Sequence, residues 1–314
     1  FLSSERLVQP QQGNVALVSQ SGGVLVDQII NFAAEGVGLS LAVSIGNKAA
    51  VDEITLLEYL IKDPGTAVVA FYVEGFGKLG GRKFVKMADE SPKPVIVLKS
   101  GKSSEGGRAV SSHTASLSGD YTVFSKIMSH HKVVEARNQF ELVSFCESLS
   151  RYPFSMAGRV AIVTGSGGHG ALATDACTIH GLQIPSLSSK LQEEMRQELS
   201  ESVRPIAAVG NPVDLTGSAT DDDFVLVTEC LSRSPEVDCI ILLVLPYTPG
   251  TSSDLGARIS QVYRKEQKPL VAYVPHVEKY RMLIEGFELN RIPVSPAIEG
   301  AVLMAEAMRR FGSC

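Results

Sequence analysis

The stretch Val15-Ala-Leu-Val-Ser-Gln-Ser-Gly-Gly23 returns later in the chain as Val160-Ala-Ile-Val-Thr-Gly-Ser-Gly-Gly168. Six of the nine positions are identical and two more are conservative. Each copy is a short apolar run, a glycine-rich turn and then a helical pattern, Val24–Glu35 or Ala171–His180, that ends beside a glycine. The repeat therefore predicts two copies of one strand–turn–helix unit.

Apolar runs and helical patterns alternate through the rest of both halves. Strands are predicted at residues 14–19, 39–45, 67–73, 94–99 and 132–135, and at 159–164, 238–245, 269–274 and 291–294. Further helices are predicted at 51–62 and 81–90, and at 188–200, 221–232, 252–266 and 297–311. Apolar strands that alternate with helices are typical of parallel sheets covered on both faces. The expected fold is α/β, with two tandem flavodoxin-like, doubly wound domains of similar size.

The alternating pattern breaks at residues 151–158, where Pro153 interrupts it. We therefore expect a first domain over residues 13–152 and a second over residues 158–314. Residues 1–12 resemble a linker remnant. Because the chain starts with Phe1 rather than Met, we expect it to be a piece of a longer protein.

The composition argues against several classes of function. The formal net charge is -5 and the chain has no Trp, so binding to nucleic acid or to an anionic membrane surface is not expected. No apolar run is long enough to span a bilayer. Five cysteines, an odd number with no Cys-x-x-Cys pair, indicate reduced thiols in a cytoplasmic protein. No metal site is predicted.

The two glycine-rich turns, Ser21-Gly22-Gly23 and Ser166-Gly167-Gly168, each follow a strand and open a helix. Free N–H groups and the positive end of the helix favour an anion there. A single turn of this kind is more often a packing feature, but two copies in one chain favour paired phosphate sites. Neither turn is a P-loop, a good dinucleotide fingerprint or a nucleophile elbow.

Two residues near the predicted strand ends of the first half are candidates for catalysis. His113 lies in a long segment rich in Gly and Ser, residues 99–120, which leaves the carboxyl end of a strand. Long segments at such strand ends are often functional, although a lone histidine is more often structural or merely exposed. Glu74 follows an apolar strand and precedes Gly75, where it is either placed for a site or is a solvated turn carboxylate.

A compact motif in the second half, Gly210-Asn-Pro-Val-Asp214, supplies two possible supporting residues. Asp214 could orient a group in a site or simply cap a turn. Asn211 is grouped with it.

Four stretches of the first half together resemble the NDP-forming acyl-CoA synthetases. They are Val18-Ser-Gln-Ser-Gly-Gly23, Ser44-Ile-Gly-Asn-Lys48, Tyr72-Val-Glu-Gly75 and Ser111-Ser-His-Thr-Ala-Ser-Leu-Ser-Gly119. The second half, with Gly167-Gly-His-Gly170 and the Asp214 motif, is similar to the other flavodoxin-like ligase domain of that family. Acetate–CoA ligase (ADP-forming) is its best-known member, and succinyl-CoA synthetase is a relative. The resemblance covers nearly the whole chain after residue 12.

The resemblance implies a reversible reaction in three steps. Acyl-CoA and phosphate give an acyl phosphate and CoA, a histidine takes the phosphoryl group and frees the acid, and the phosphohistidine passes it to ADP or GDP. By match to the family motifs, His113 is that histidine and Glu74 holds its ring. The two glycine-rich helix starts stabilise the phosphoryl group from two sides.

The resemblance also implies partners and cofactors that this chain does not itself supply. Coenzyme A and ADP or ATP with magnesium are the substrates, bound mainly by a CoA-binding domain and an ATP-grasp domain. Those domains belong either to the same full-length chain or to a separate subunit, and an oligomer is expected.

Two other functions fit parts of the sequence. Some protein lysine acetyltransferases carry a synthetase-like region that senses ligands and has lost the phosphorylated histidine. The presence of His113 and Glu74 favours the enzyme over that module. A plain flavodoxin-like protein for flavin or another nucleotide would have one such domain, so the internal repeat argues against it.

Overall fold

The structure is a computed structural model that describes residues 5–114 and 119–311, with only the backbone of His113 and Thr114. The described chain divides into two compact units. The first contains the residues up to Ser155 together with Arg310 and Phe311, and the second is Met156–Arg309.

The first unit is built on a five-stranded parallel sheet. Its strands are β1 (Gln12–Ser19), β2 (Leu39–Ser44), β3 (Val68–Val73), β4 (Val95–Lys99) and β5 (Val133–Ala136). They lie side by side in the order β2-β1-β3-β4-β5. The helices between them are α1 (Gly22–Ala34), α2 (Glu53–Lys62), α3 (Gly80–Glu90), α4 (Ser104–Thr114) and α5 (Tyr121–Met128), followed by α6 (Gln139–Arg151).

The second unit repeats this plan. Its strands are β6 (Val160–Thr164), β7 (Val213–Asp214), β8 (Cys239–Leu243), β9 (Leu270–Tyr273) and β10 (Val294–Ser295). Its helices are α7 (Gly167–Ile179), α8 (Ser189–Glu198), α9 (Asp221–Arg233), α10 (Leu255–Glu266), a 3-10 turn (Glu278–Tyr280), α11 (Arg281–Glu288) and α12 (Ile298–Phe311). The parallel order β10-β9-β8-β6-β7 is that of the first sheet counted from the opposite edge. The prediction of two flavodoxin-like parallel sheets is confirmed.

This strand order fixes where a ligand can approach each sheet. In both sheets the first strand lies between the second and the third, so the chain reverses direction across the sheet at that point. Ligands of such folds bind at the carboxyl ends of the strands beside this reversal. In the first unit, the carboxyl ends of β1 and β3 lie beside this reversal, and the two strands pair there through Ser19 and Tyr72. The Ser21 turn and Glu74 follow directly.

The structure corrects the prediction of an irregular segment around His113. Residues 104–114 form α4 instead. The helix is started by Ser103, whose Oγ accepts a hydrogen bond from the Gly106 N–H at 3.0 Å, and Glu105 adds a negative charge in the first turn. His113 lies in the last turn of this helix, and residues 115–118 are outside the described residues.

A glycine contact between α10 and α11 gives a prediction about stability. A Cβ on Gly286 would lie 2.6 Å from the Ala257 backbone nitrogen and 3.0 Å from the Gly256 carbonyl carbon. Overpacking typically costs about 1–3 kcal/mol, and more for backbone. Alanine gains only ~1 kcal/mol over glycine in a helix. We therefore expect Gly286→Ala to lower the free energy of unfolding by about 2 kcal/mol in urea titrations.

The same substitution at Gly81 is the matched control for this prediction. Gly81 lies in the first turn of α3, and a Cβ there would meet the Phe76 ring at an ordinary 3.4 Å. Gly81→Ala should leave the free energy of unfolding unchanged or slightly raised. If the Gly286→Ala variant is as stable as the parent protein, α10 and α11 can move apart to admit the methyl group without loss of stability, and the prediction is wrong.

Candidate active site

The turn after β1 presents the start of α1 to solvent. Ser19 Oγ donates to the Ser21 carbonyl at 2.7 Å and accepts from the Ser21 N–H at 3.1 Å, which holds the turn. Ser21 is the N-cap of α1, and its side chain accepts from the Val24 N–H. Gly22 and Gly23 are exposed, and no described residue binds their N–H groups. Two free donors at the positive end of a helix suit an anion, and the phosphate site predicted here from the sequence stays a prediction.

Glu74 lies beside this turn, at the carboxyl end of β3, and is only 5% exposed. Its N–H donates to Gln20 Oε1 at 2.6 Å, and its carbonyl accepts from Lys99 Nζ at 2.8 Å. Among the described residues, no side chain or N–H group donates a hydrogen bond to its carboxylate. The backbone is therefore fixed on both sides, and the charge of Lys99 lies close enough to interact with the carboxylate.

Two lysines that sequence reasoning missed stand next to Glu74. Lys99 ends β4 and is 2% exposed. Burial lowers the pKa of Lys99 to about 8, although the nearby Glu74 carboxylate acts in the opposite direction. Lys48 donates to the Gly75 carbonyl at 2.6 Å and forms an ion pair with the buried Glu53 at 3.1 Å. Lys48 stands in a stretch that carried the family resemblance, which was its only signal in the sequence.

The helix that carries His113 in its last turn, α4, begins after β4, the strand that pairs with β3. The side chain of His113 is outside the described residues, so its contact with Glu74 stays a prediction. An open cavity of about 790 Å³ lies beside α4 and the start of α5. Lys102, Arg108, Ser111 and Asp120 are among its lining residues, so the cavity carries two positive charges, one carboxylate and a hydroxyl group.

The second unit repeats the hydroxyl geometry of the first at the turn after β6. Thr164 Oγ1 donates to the Ser166 carbonyl at 3.1 Å and accepts from the Ser166 N–H at 3.0 Å. Gly167 and Gly168 are again exposed at the helix start. The Ser166 side chain differs, because it bonds the His169 ring at 3.1 Å and does not cap the helix.

Asp214 lies against this second turn. A Cβ on Gly167 would come within 2.9 Å of Asp214 Oδ2, while Oδ1 accepts from the Thr216 N–H at 2.9 Å. A carboxylate therefore already stands at the positive start of α7, which has no counterpart among the described contacts of the first turn. Asp214 caps a turn through its bond to the Thr216 N–H, and its part in a site stays a prediction.

Asn211 is not brought to that site. Its Oδ1 accepts from the Ile162 N–H at 3.0 Å, and its Nδ2 donates to the carbonyls of Val160 and Pro185 at 2.8 and 3.1 Å. All of its hydrogen bonds that the structure describes go to backbone along the first half of β6 or to the segment after α7. Its side chain therefore substitutes for strand pairing rather than facing the glycine-rich turn.

The cysteines, possible metal ligands and possible membrane spans among the described residues bear on other classes of function. Cys146, Cys177, Cys230 and Cys239 are free and buried, and burial raises the pKa of each thiol. No group of three or more His, Cys, Asp or Glu side chains in residues 5–114 and 119–311 could hold a metal ion. In the same ranges no helix has the length and apolar character needed to cross a membrane. Cys314 lies outside the described residues.

Comparison with known proteins identifies both halves. A model of the succinyl-CoA ligase-like flavodoxin domain matches residues 12–149, and a model of the ligase-CoA domain matches residues 160–278. The alpha subunit of acetate–CoA ligase (ADP-forming) II from Pyrococcus furiosus is 35% identical over 98% of this chain and 67% of its own length. The 4-hydroxybutyrate–CoA ligase (ADP-forming) of Nitrosopumilus maritimus is 30% identical over 97% of this chain but only 43% of its own length.

A solved structure shares the fold over almost the whole chain. It is the dinucleotide-forming acetyl-coenzyme A synthetase 1 of Ca. Korarchaeum cryptofilum in complex with phosphate and ADP, with a TM-score of 0.87 at 28% identity. The match covers 96% of this chain and 65% of that one. The chain thus spans between less than half and about two thirds of the length of these proteins. It belongs to the ADP-forming acyl-CoA ligase family and corresponds to a part of those enzymes.

Proposed function

We propose that this chain is the phosphohistidine-bearing core of an NDP-forming acyl-CoA synthetase. Such an enzyme interconverts acyl-CoA, phosphate and a nucleoside diphosphate with the free acid, CoA and the triphosphate. The chain's own part is to move the phosphoryl group from the acyl phosphate to the nucleotide. His113 carries the group between the two.

The observation that carries this proposal is the environment of Glu74. A carboxylate that is 95% buried is normally paired, because an unpaired charge is costly to remove from water. Glu74 has no described hydrogen-bond donor to its carboxylate, yet its backbone is held by Gln20 and Lys99. This arrangement suits a residue that accepts a hydrogen bond from the His113 ring. Glu74 would then fix the ring tautomer and leave the other nitrogen to attack.

The phosphoryl transfer follows from these groups. The free ring nitrogen of His113 forms the N–P bond as the bond from phosphorus to the acyl oxygen breaks, and the acid leaves as its carboxylate. The ring becomes cationic, and the Glu74 carboxylate stabilises that charge. The Gly22 and Gly23 N–H groups neutralise charge on the phosphoryl oxygens. The equivalent glycines Gly167 and Gly168 would offer a second anion site of the same kind at the start of α7, where the Asp214 carboxylate weakens the attraction for an anion.

The cofactors and partners of this enzyme would be supplied by other segments. Coenzyme A and ADP or ATP with magnesium would be bound by a CoA-binding domain and an ATP-grasp domain, on the same protein or on another subunit. The relatives support this, because one of them is an alpha subunit and all of those compared extend beyond the part matched here.

The proposal is tested by loading the assembled enzyme with acetyl phosphate and measuring the intact mass of the protein that contains this chain. We expect an adduct of one phosphate that is labile in acid and stable in base, as a phosphohistidine is. A protein that binds acetyl phosphate or acetyl-CoA without forming any adduct would instead be the ligand-sensing module of a protein acetyltransferase. An acid-stable adduct would place the phosphate on another kind of residue.

A further inference from the structure

The peptide groups of Glu74 and Gly75 are held entirely by side chains. Gln20 Oε1 accepts from the N–H of Glu74 at 2.6 Å and from that of Gly75 at 3.3 Å, and its Nε2 donates to the Gly75 carbonyl at 3.0 Å. Lys99 binds the Glu74 carbonyl and Lys48 binds the Gly75 carbonyl. All four backbone groups are thus occupied by residues from three separate segments of the first unit, and Gln20 alone contacts three of the four.

The internal repeat indicates that these side-chain contacts of Gln20 are specific to the half that contains Glu74. Of the nine repeated positions, the only one without a conservative match is Gln20, which corresponds to Gly165. A Cβ on Gly165 would already lie 3.3 Å from the Thr216 carbonyl oxygen, so there is little room for a side chain.

The residue that stands in the place of Glu74 in the second sheet follows from strand register. Ser19 pairs with Tyr72 and Thr164 pairs with Leu243, so Glu74 corresponds to Leu245. Leu245 is an apolar residue, 3% exposed. The glutamine is therefore present in the half that has Glu74 and absent from the half that has Leu245 in its place, although the strands and turns are otherwise repeated.

We propose that Gln20 is a positioning residue for phosphoryl transfer, which holds Glu74 where its carboxylate meets the His113 ring; this rests on the proposed function. A carboxamide suits the task because it accepts from two N–H groups and donates to a carbonyl without adding a charge beside Glu74. Glutamate at this position would keep the acceptor, lose the donor and repel Glu74. Methionine would keep the volume and lose every hydrogen bond.

The test measures the initial rate of His113 phosphorylation in the assembled enzyme, with acetyl phosphate as the probe. We expect Gln20→Met to slow this rate about ten- to a hundredfold, since a shift of ~1 Å in a catalytic group can cost a factor of about a hundred. The apparent KM for acetyl phosphate should be unchanged, because Gln20 touches no substrate. Gln20→Glu keeps an oxygen that accepts from both N–H groups, so its phosphorylation rate should fall less than that of Gln20→Met.

Lys93→Met is the matched control for loss of a side chain that bonds to the backbone of another segment. Lys93 Nζ donates to the carbonyls of Leu60 and Asp63 at 2.7 and 2.6 Å, before the start of β4 and so at the opposite end of the first sheet. This variant should lose thermal stability but keep the phosphorylation rate. Equal slowing by Lys93→Met and Gln20→Met would overturn the proposal, because it would show a general effect of destabilisation.

A double-mutant cycle with Glu74→Gln separates the proposal from the proposed function. If Gln20 acts through Glu74, Gln20→Met should slow phosphorylation in the parent enzyme but by less than twofold in the Glu74→Gln background. Full slowing in both backgrounds would overturn the positioning role. If Glu74→Gln is slow while the single variant Gln20→Met phosphorylates His113 at the parent rate, the positioning role is overturned but the proposed function stands. A parent enzyme without any phosphohistidine would overturn both.

Discussion

Replacing His113 by Ala should abolish the phosphate adduct and reduce the overall acyl-CoA synthetase rate to background. The reason is that His113→Ala removes the proposed nucleophile itself. Peptide mapping after loading with acetyl phosphate checks this directly. The assembled enzyme should be used, since the partner domains are expected to take part in loading.

His130→Ala is the control for this substitution. His130 is exposed in the segment between α5 and β5, and its ring bonds the Ser129 hydroxyl and the Lys126 carbonyl, the latter at 2.7 Å. The variant should therefore load phosphate at the parent rate. A base-stable adduct that persists in His113→Ala would contradict the assignment and direct the search to the remaining histidines.

Glu74→Gln should slow phosphorylation of His113 by about ten- to a hundredfold. The substitution keeps the size and one acceptor oxygen but removes the charge that we propose to stabilise the cationic ring. A hydrogen bond to a charged group contributes about 1.5–3 kcal/mol, and each ~1.4 kcal/mol is a factor of ten in rate. The rate of adduct formation in rapid-quench experiments gives the number. An unchanged rate would rule out the role proposed for Glu74.

Glu135→Gln makes the same chemical change at a carboxylate of equal burial in the same sheet. Glu135 lies in β5, is 5% exposed and accepts a hydrogen bond from Ser125 Oγ at 2.6 Å. Its substitution should leave phosphorylation unchanged while altering stability. The contrast between the two variants isolates the effect of charge next to His113 from the general effect of neutralising a buried carboxylate.

The fold was predictable because the repeat and the apolar pattern of the strands are both visible within short stretches of sequence. The strands that hold the first site, β1, β3 and β4, were predicted to within two residues at each end. The strand β7 (Val213–Asp214) was missed, since two residues are too few for any periodicity. The helix α4 was missed because Gly and Ser dominate it, and its start depends on a single capping serine, Ser103.

The site was predictable only in outline. The residues that follow strand ends, Ser21 and Glu74, could be found from the pattern alone, because topology places such positions together. The contacts of Gln20, Lys48 and Lys99 with the backbone of Glu74 and Gly75 could not. They join segments that are far apart in the sequence, and side-chain hydrogen bonds to backbone leave no periodic trace. Even so, Gln20 had one signal, since it is the position where the two repeats differ most.

The central claim, that the phosphoryl group passes through His113 of this chain, is tested most directly by following a labelled phosphate in a single turnover. The assembled enzyme is loaded from labelled acetyl phosphate, freed of the donor and mixed with ADP and magnesium. We predict that the label leaves His113 and appears in ATP at least as fast as the enzyme turns over. Label that stays on the protein during turnover, or labelled ATP formed at the parent rate by the His113→Ala enzyme, would contradict the account.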